Sequence, residues 1–363
     1  MNYPKFKVCV RCFTFNQADY IEDAMNGFTM QQTDFPFVCC IVDDASTDKE
    51  QKVIKSYMER HFNLSDSSVS YKKETDYANI IYAQHNSNKN CFFAVLFLKD
   101  NLYSKKESYK KFEYISEWSE LCEYEAMCEG DDYWIESKKI QKQVDFLDNN
   151  SSFAMCYSSV SCYSQQKKKI LSQKDGGPYE SFRDLLNINV IPTPSTLMRR
   201  SCELEYLSEI RPETRNWLMG DYPRWLYYSY RWKIKYMKDE VFAVYRVLGE
   251  SASHSTNYSK TKAFVENTFE ISRFFAEYFN QDELYNNDNL NRNLFLVAFS
   301  FGKLDEALLK FKIIKNKSNS LWIKYIICHS RILYNILGKF FFVVIYKYVF
   351  LCFDDKTLIL YLL

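Results

Sequence analysis

Two adjacent carboxylates, Asp131 and Asp132, follow Gly130 just past the apolar run Tyr124 to Cys128. A short run of that kind reads as a buried strand, so the acidic pair falls where the strand breaks into a loop. Neighbouring like charges repel, and both stay ionised at a sheet edge most readily when a hard divalent cation lies between them and a phosphate. Asp43 and Asp44 open a second acidic turn, Asp43 to Asp48, after the apolar run Phe37 to Val42. Asp221, in Gly220-Asp221-Tyr222, opens an aromatic helix. Carboxylates that each follow an apolar or aromatic stretch point to one polar cleft at the edge of an α/β sheet. The competing reading of the pair is an acidic turn with an aspartate capping the polar helix Ile135 to Leu147.

The elements that would position these groups begin with an apolar strand over Phe6 to Phe13 and the polar turn Thr14-Phe15-Asn16-Gln17. Tyr20, Ile21, Ala24, Met25 and Phe28 then recur at helical spacing, and Phe37 to Val42 forms the next strand. Strand, turn, helix and strand make a βαβ unit, so the sheet begins parallel and its turns open on the carboxyl ends of the strands. Ser46 to Glu50 supplies cap and first-turn residues for a helix carrying Val53, Ile54, Tyr57 and Met58. Asn79 to Gln84 reads as a third strand, and Cys91 to about Leu102 as a helix. A charged loop, Lys99 to Lys111, and a short helix, Tyr114 to Leu121, lead into the strand before the acidic pair. One or two strands follow between Phe153 and Leu171, then the proline-stiffened loop Ile191 to Thr196 and a strand over Val241 to Val247.

From about Lys260 the pattern is helical alone, with Phe, Tyr and Leu at i, i+3 and i+4. The expected division is a catalytic domain over residues 1–258 and a helical region over 259–363. Between Lys310 and Phe353 every charged residue is basic, among them Lys339 and Lys347, and these alternate with Trp322, Ile323, Tyr325, Ile326 and the run Phe340 to Ile345. That is the composition of an interfacial amphipathic helix, and the uninterrupted apolar run is too short to span a bilayer.

The 363 residues, 47% of them hydrophobic and 18% aromatic, are enough to bury a sizeable core. A net charge of +1 argues against wholesale nucleic-acid binding. The polar start, Met1 to Lys7, is not expected to be a signal peptide. The 12 cysteines, mostly inside apolar runs, read as small buried hydrophobes of a reducing compartment. Cys9 and Cys12 have metal-ligand spacing, but within a strand they point to opposite faces. No G-x-G-x-x-G and no Walker lysine loop occurs, which weighs against dehydrogenase and kinase chemistry.

At Phe13-Thr14-Phe15-Asn16, Val42 to Asp48 and Gly130-Asp131-Asp132, with Asp221 downstream, the chain resembles a family 2 glycosyltransferase of the GT-A fold, over roughly residues 5 to 255. That resemblance implies a Rossmann-like, mostly parallel α/β sheet and inverting transfer of a hexose from a nucleotide-diphosphate donor, a UDP-sugar. The acceptor would be a glycan or a lipid-linked saccharide in polysaccharide biosynthesis. Thr14, Phe15, Asn16 and Asp44 would line the nucleoside pocket, Asp44 accepting a hydrogen bond from the base, and Asp131 would bind the donor ribose or sugar. Asp132 would hold Mn²⁺ or Mg²⁺, which neutralises the charge gathering on the departing diphosphate. Asp221 matches the general base, although many family members carry Glu-Asp where this chain has Gly220-Asp221. His254, after the last strand, falls where the family often places a residue near the diphosphate. The implied location is cytoplasmic, with the basic tail a candidate for peripheral attachment to the inner face of the plasma membrane. Two other readings stay open: a metal-dependent nucleotidyltransferase, which needs a Gly- and Lys-rich first loop that Phe13 to Tyr20 lacks, and a glycan-binding domain without turnover.

Overall fold

A computed structural model of the protein describes residues 3–249 and 255–338. The described strands are β1 (Val8–Thr14), β2 (Phe37–Asp43), β3 (Ser70–Glu74), β4 (Ala78–Gln84), β5 (Cys91–Leu98), β6 (Tyr124–Met127), β7 (Tyr133–Trp134), β8 (Phe153–Ser164), β9 (Lys169–Asp175), β10 (Leu197–Arg199) and β11 (Lys233–Val247). They form one sheet in the order β3-β4-β5-β2-β1-β6-β10-β8-β11-β7, with β9 paired to β8. Its centre, β5-β2-β1-β6, is parallel. The flanks are antiparallel except for β8 and β11. The expected α/β sheet, flanked by helices and followed by a helical region, is therefore present.

Alternation along β1 shows how the sequence makes two layers. Val8, Val10 and Cys12 face a core shared with the helices Ile21–Thr29, Glu50–His61 and Lys139–Asp148. Cys9 faces a second core with Val38, Cys40, Leu96 and Trp118. A period of two sends i and i+3 to opposite faces, so Cys9 and Cys12 are separated by the sheet. Both are buried free thiols.

Residues 91–98 differ from the expected helix: they are β5, buried at every position and registered against β2 from Phe37↔Cys91 to Asp43↔Phe97. An unbroken apolar run has no period that separates strand from helix, and a central parallel strand covered on both faces has that composition. β11 also begins earlier than expected, because bulges near Tyr236 and Val241 carry the pairing with β8 across the charged stretch Lys238-Asp239-Glu240.

The strands belong to the first of two compact units, which comprises Met1–Glu180, Ile191–Arg215 and Tyr228–Val247. The second comprises, among the described residues, Ser181–Val190, Asn216–Tyr227, residues 248–249 and residues 255–338. Its helices Tyr258–Tyr278, Asn287–Ser300, Leu304–Ile313 and Asn319–Cys328 pack through aromatic side chains, including Phe295, Phe299 and Phe311. Asn257 and Ser318 start two of these helices, their side-chain oxygens accepting the N–H groups of Lys260 and Leu321.

Candidate functional site

The chain runs from β1 outward to β2 and β5 and returns to β6 on the other side of β1. This reversal is the topological switch point of an open α/β sheet, where loops on the carboxyl ends diverge and leave a crevice. The turns after β1, β2 and β6 are the ones singled out in the sequence, and strand order alone makes them neighbours.

Hydrogen bonds continue the β1–β6 pairing into the acidic loop, from Cys128 N–H to Arg11 O at 3.1 Å and from Gly130 N–H to Phe13 O at 3.4 Å. A side chain at Gly130 has no room, because its Cβ would come within 2.8 Å of the Thr14 Cβ and closer still to the Thr14 hydroxyl. Glycine here permits the close approach of two loops. The Thr14 hydroxyl stands 2.7 Å from Gln17 Oε1 and donates to Glu50.

Glu50 is a residue that sequence reasoning treated only as a first-turn helix acid. It is buried and accepts from the Gln17 N–H at 2.9 Å and the Ser46 hydroxyl at 2.7 Å, besides Thr14. Burial pushes its carboxyl above the usual range. Asn16, at φ +54°, completes the stitching, its side-chain oxygen accepting the N–H groups of Thr47 at 2.8 Å and Asp48 at 3.3 Å. Asn16 thus positions the loop after β2, while Phe15 beside it leaves its ring 43% exposed.

Asp44 is buried and anchors the charged loop: it accepts Leu102 N–H at 2.8 Å, Tyr103 N–H at 3.1 Å and Lys111 Nζ at 2.8 Å. The Lys111 ammonium also lies 5.5 Å from the Phe13 ring centre. Lys111 was invisible in the sequence, one basic residue in a basic stretch, until its partner 67 residues away was known.

Asp131 and Asp132 lie at the exit of β6, and Asp132 is 4% exposed. The carboxyl of Asp132 is held well above the usual range, first by burial and then by Asp131; burial also raises that of Asp131. Asp132 Oδ1 accepts the Arg246 backbone N–H at 2.8 Å, and no lysine or arginine side chain among the described residues forms an ion pair with it. Arg246, at the end of β11, is the second residue that sequence reasoning missed. Its guanidinium donates to Asp131 O at 2.8 Å, to Gln165 at 3.0 Å and to Asp23 at 2.7 Å. It lies over the rings of Tyr20, Tyr133 and Tyr163 at 4.9, 5.2 and 5.4 Å. The clamp holds the acidic loop by its backbone; its charge favours the ionised Asp132, but the guanidinium forms no ion pair with that carboxylate among the described residues.

Beneath this loop Lys139 is fully buried, with Nζ 2.8 Å from Gln143 Oε1, 3.1 Å from Thr196 O and 4.2 Å from the Trp134 ring centre. Burial without a carboxylate partner lowers its pKa to about 7.

No group of three or more His, Cys, Asp or Glu side chains able to hold a metal ion occurs among the described residues. The acidic pair nevertheless suits a divalent cation that takes most of its oxygens elsewhere, since Asp132 is buried, its carboxyl is raised further by Asp131, and both carboxyls stay raised although the Arg246 charge favours their ionised forms. Mg²⁺ commonly binds through one or two carboxylates plus phosphate oxygens and water.

Asp221 belongs to the second unit, at the start of the helix Tyr222–Arg231. Its carboxylate accepts the Tyr222 N–H at 2.7 Å, and its carbonyl accepts the N–H groups of Arg224 and Trp225. His254 lies outside the described residues, as do Lys339, Lys347 and the run Phe340 to Ile345. Thr14, Phe15, Asn16, Asp44, Asp131 and Asp132 are brought to the carboxyl edge of the first unit.

No family model matches the chain. Uncharacterized proteins of Mycobacterium bovis and Mycobacterium tuberculosis are 31% identical to it over 192 residues, 52% of this chain and 45% of theirs. The chain thus matches less than half the length of these curated relatives. Among solved structures, S. aureus TarS 1–349 in complex with UDP-GlcNAc is similar with a TM-score of 0.49 at 15% identity, over 95% of this chain and 90% of that one. A mannosyltransferase from Pyrobaculum calidifontis in complex with GDP-Man and Mn²⁺ gives a TM-score of 0.44 at 11% identity, over 93% and 88%.

Proposed function

We propose that the protein is an inverting glycosyltransferase of the GT-A type, moving a hexose from a nucleotide-diphosphate donor, a UDP-sugar, to a glycan or lipid-linked acceptor. One observation carries the reading: the turns holding Thr14, Asp44 and the Asp131–Asp132 pair meet at the switch point of the sheet, and both carboxyls of the pair are raised, that of the buried Asp132 well above the usual range.

In this reading the exposed Phe15 ring offers a stacking face for the base. Thr14 and Asp44 shape the wall behind it, with Lys111 fixing Asp44 and Asn16 fixing the loop after β2. Asp131 binds the ribose or sugar hydroxyls, and Asp132, aimed by the Arg246 N–H, would hold Mn²⁺ or Mg²⁺ together with the donor's phosphate oxygens. The cation, when bound, supplies charge neutralisation for the leaving diphosphate. Asp221 accepts the proton of the acceptor hydroxyl as that oxygen bonds to the anomeric carbon and the bond from that carbon to the diphosphate oxygen breaks on the opposite face.

The test is a panel of sugar nucleotides incubated with the full chain and Mn²⁺, scored by release of nucleoside diphosphate. Release that depends on one donor and on an acceptor supports the transferase. Donor binding without release, across acceptors, would instead mark a domain that only binds.

A further inference from the structure

Among the described residues, the helical region exposes much apolar surface. Helix Leu304–Ile313 exposes Leu309 and Ile313, one turn apart, and helix Asn319–Cys328 exposes Trp322, Ile323 and Ile326. The following turns expose Ile332, Leu333, Ile336 and Leu337. Ile326 is 62% exposed and Ile332 74%. Each set recurs at three- or four-residue spacing, so each element carries an apolar strip as well as the buried face that packs through Phe311 and Leu321. Folding within the region accounts for the buried faces and leaves the strips unexplained.

Charge indicates what covers them. The sequence holds no Asp or Glu from Ala307 to Phe353. The last acid before this stretch, Glu306, is taken up by Lys262 at 2.6 Å. Lys312, Lys315 and Arg331 are exposed beside the strips. Apart from Asp305, exposed in the first turn of Leu304–Ile313, the exposed charges of this segment are basic, and such an apolar surface suits a layer that is hydrocarbon below and anionic above. A protein partner whose contact face were merely apolar would leave the one-sided charge without a role.

We propose that residues 304–338 form a docking surface for an anionic lipid bilayer, with the isoleucine and tryptophan side chains entering the interface and the lysines meeting phosphate headgroups. The inference is independent of the catalytic reading, because the surface belongs to the helical unit and its test does not use turnover.

The experiment is co-sedimentation of the full chain with vesicles of phosphatidylcholine alone and of phosphatidylcholine mixed with phosphatidylglycerol, at physiological salt. Binding to the mixed vesicles, lost at high salt and weak on phosphatidylcholine alone, is expected. Ile326→Glu with Ile332→Glu should weaken it by about tenfold or more, as should Lys312→Gln with Lys315→Gln, since buried apolar area and charge both contribute. All four positions are exposed, so the fold should tolerate the changes, and circular dichroism checks this. The proposal is overturned if the full chain ignores the mixed vesicles, or if both double variants bind as the wild type does. It is equally overturned if the Ile variants abolish self-association of a chain that binds no vesicle, which would make the strips an interface between copies.

Discussion

Asp132→Asn should make the protein more stable and less able to bind its donor. Asp132 is 4% exposed, accepts one backbone N–H at 2.8 Å and sits beside a second raised carboxyl. Asparagine keeps an oxygen for the Arg246 N–H while removing the buried charge and its repulsion with Asp131. The sign follows from linkage: a carboxyl raised in the folded state binds its proton more tightly there than in the unfolded chain. Its contribution to stability is therefore present at low pH and lost as pH rises through the raised folded value. Replacing a buried charge whose desolvation outweighs its compensation, as the raised carboxyl of Asp132 shows, by a neutral group of equal volume is worth about 1 to 3 kcal/mol. At about 2 to 4 °C per kcal/mol for a unit of this size, the melting temperature without metal should rise by roughly 2 to 12 °C near pH 8 and by much less near pH 4. Calorimetry in chelator at the two pH values reads this, and titration of UDP with and without Mn²⁺ reads the other half. A variant less stable than wild type near pH 8, or one whose UDP affinity still rises with Mn²⁺, refutes the reasoning.

Asp221→Asn should leave donor affinity and stability near wild type, because asparagine caps a helix as well as aspartate does, and should cut turnover by about 10² to 10⁴. Normal turnover in that variant would reduce Asp221 to its local role at the helix start, where its carboxylate accepts the Tyr222 N–H. Gly130→Ala places a Cβ against Thr14, so it should cost about 1 to 3 kcal/mol of stability and weaken donor binding measurably by calorimetric titration; unchanged values in both would show that the two loops can part freely. Lys139 has a pKa lowered to about 7, so above that value the unfolded chain holds a proton that the folded protein does not. Stability should then rise with pH by up to about 1.4 kcal/mol per unit between about pH 7 and pH 10, a slope that Lys139→Met should lack in denaturant titrations; equal slopes in the two proteins would mean that Lys139 titrates as an exposed lysine.

How much of this was legible in the sequence depended on the distance between partners. β1, β2 and β6 were readable because each is a short apolar run ending in a polar or acidic turn, and the parallel order of their ends followed from the βαβ pattern. β5 was misread because Cys91–Leu98 is apolar throughout, and only its place between β2 and β4 gives it a strand's burial on both faces. Among the site residues, Asp131 and Asp132 stood out as a pair, but nothing local to Arg246 marks it as their clamp, since its contact to Asp132 spans 114 residues. Lys111 was hidden in the same way among other lysines, and Glu50 in a helix's first turn, where an acid is expected for the dipole alone. Sequence patterns report periodicity and chemistry near one another, whereas these positions are set by where the sheet brings distant loops.

The central claim is glycosyl transfer from a nucleotide-diphosphate donor, and release of nucleoside diphosphate tests it most directly. The full chain, given a panel of UDP- and GDP-sugars with Mn²⁺ and candidate saccharide acceptors, should release nucleoside diphosphate from one donor class. That release should stop on chelation and in Asp132→Asn, and fall by about 10² or more in Asp221→Asn. Release of pyrophosphate from a nucleoside triphosphate and a sugar phosphate, with none of the diphosphate from any sugar nucleotide, would contradict the account and favour nucleotidyl transfer.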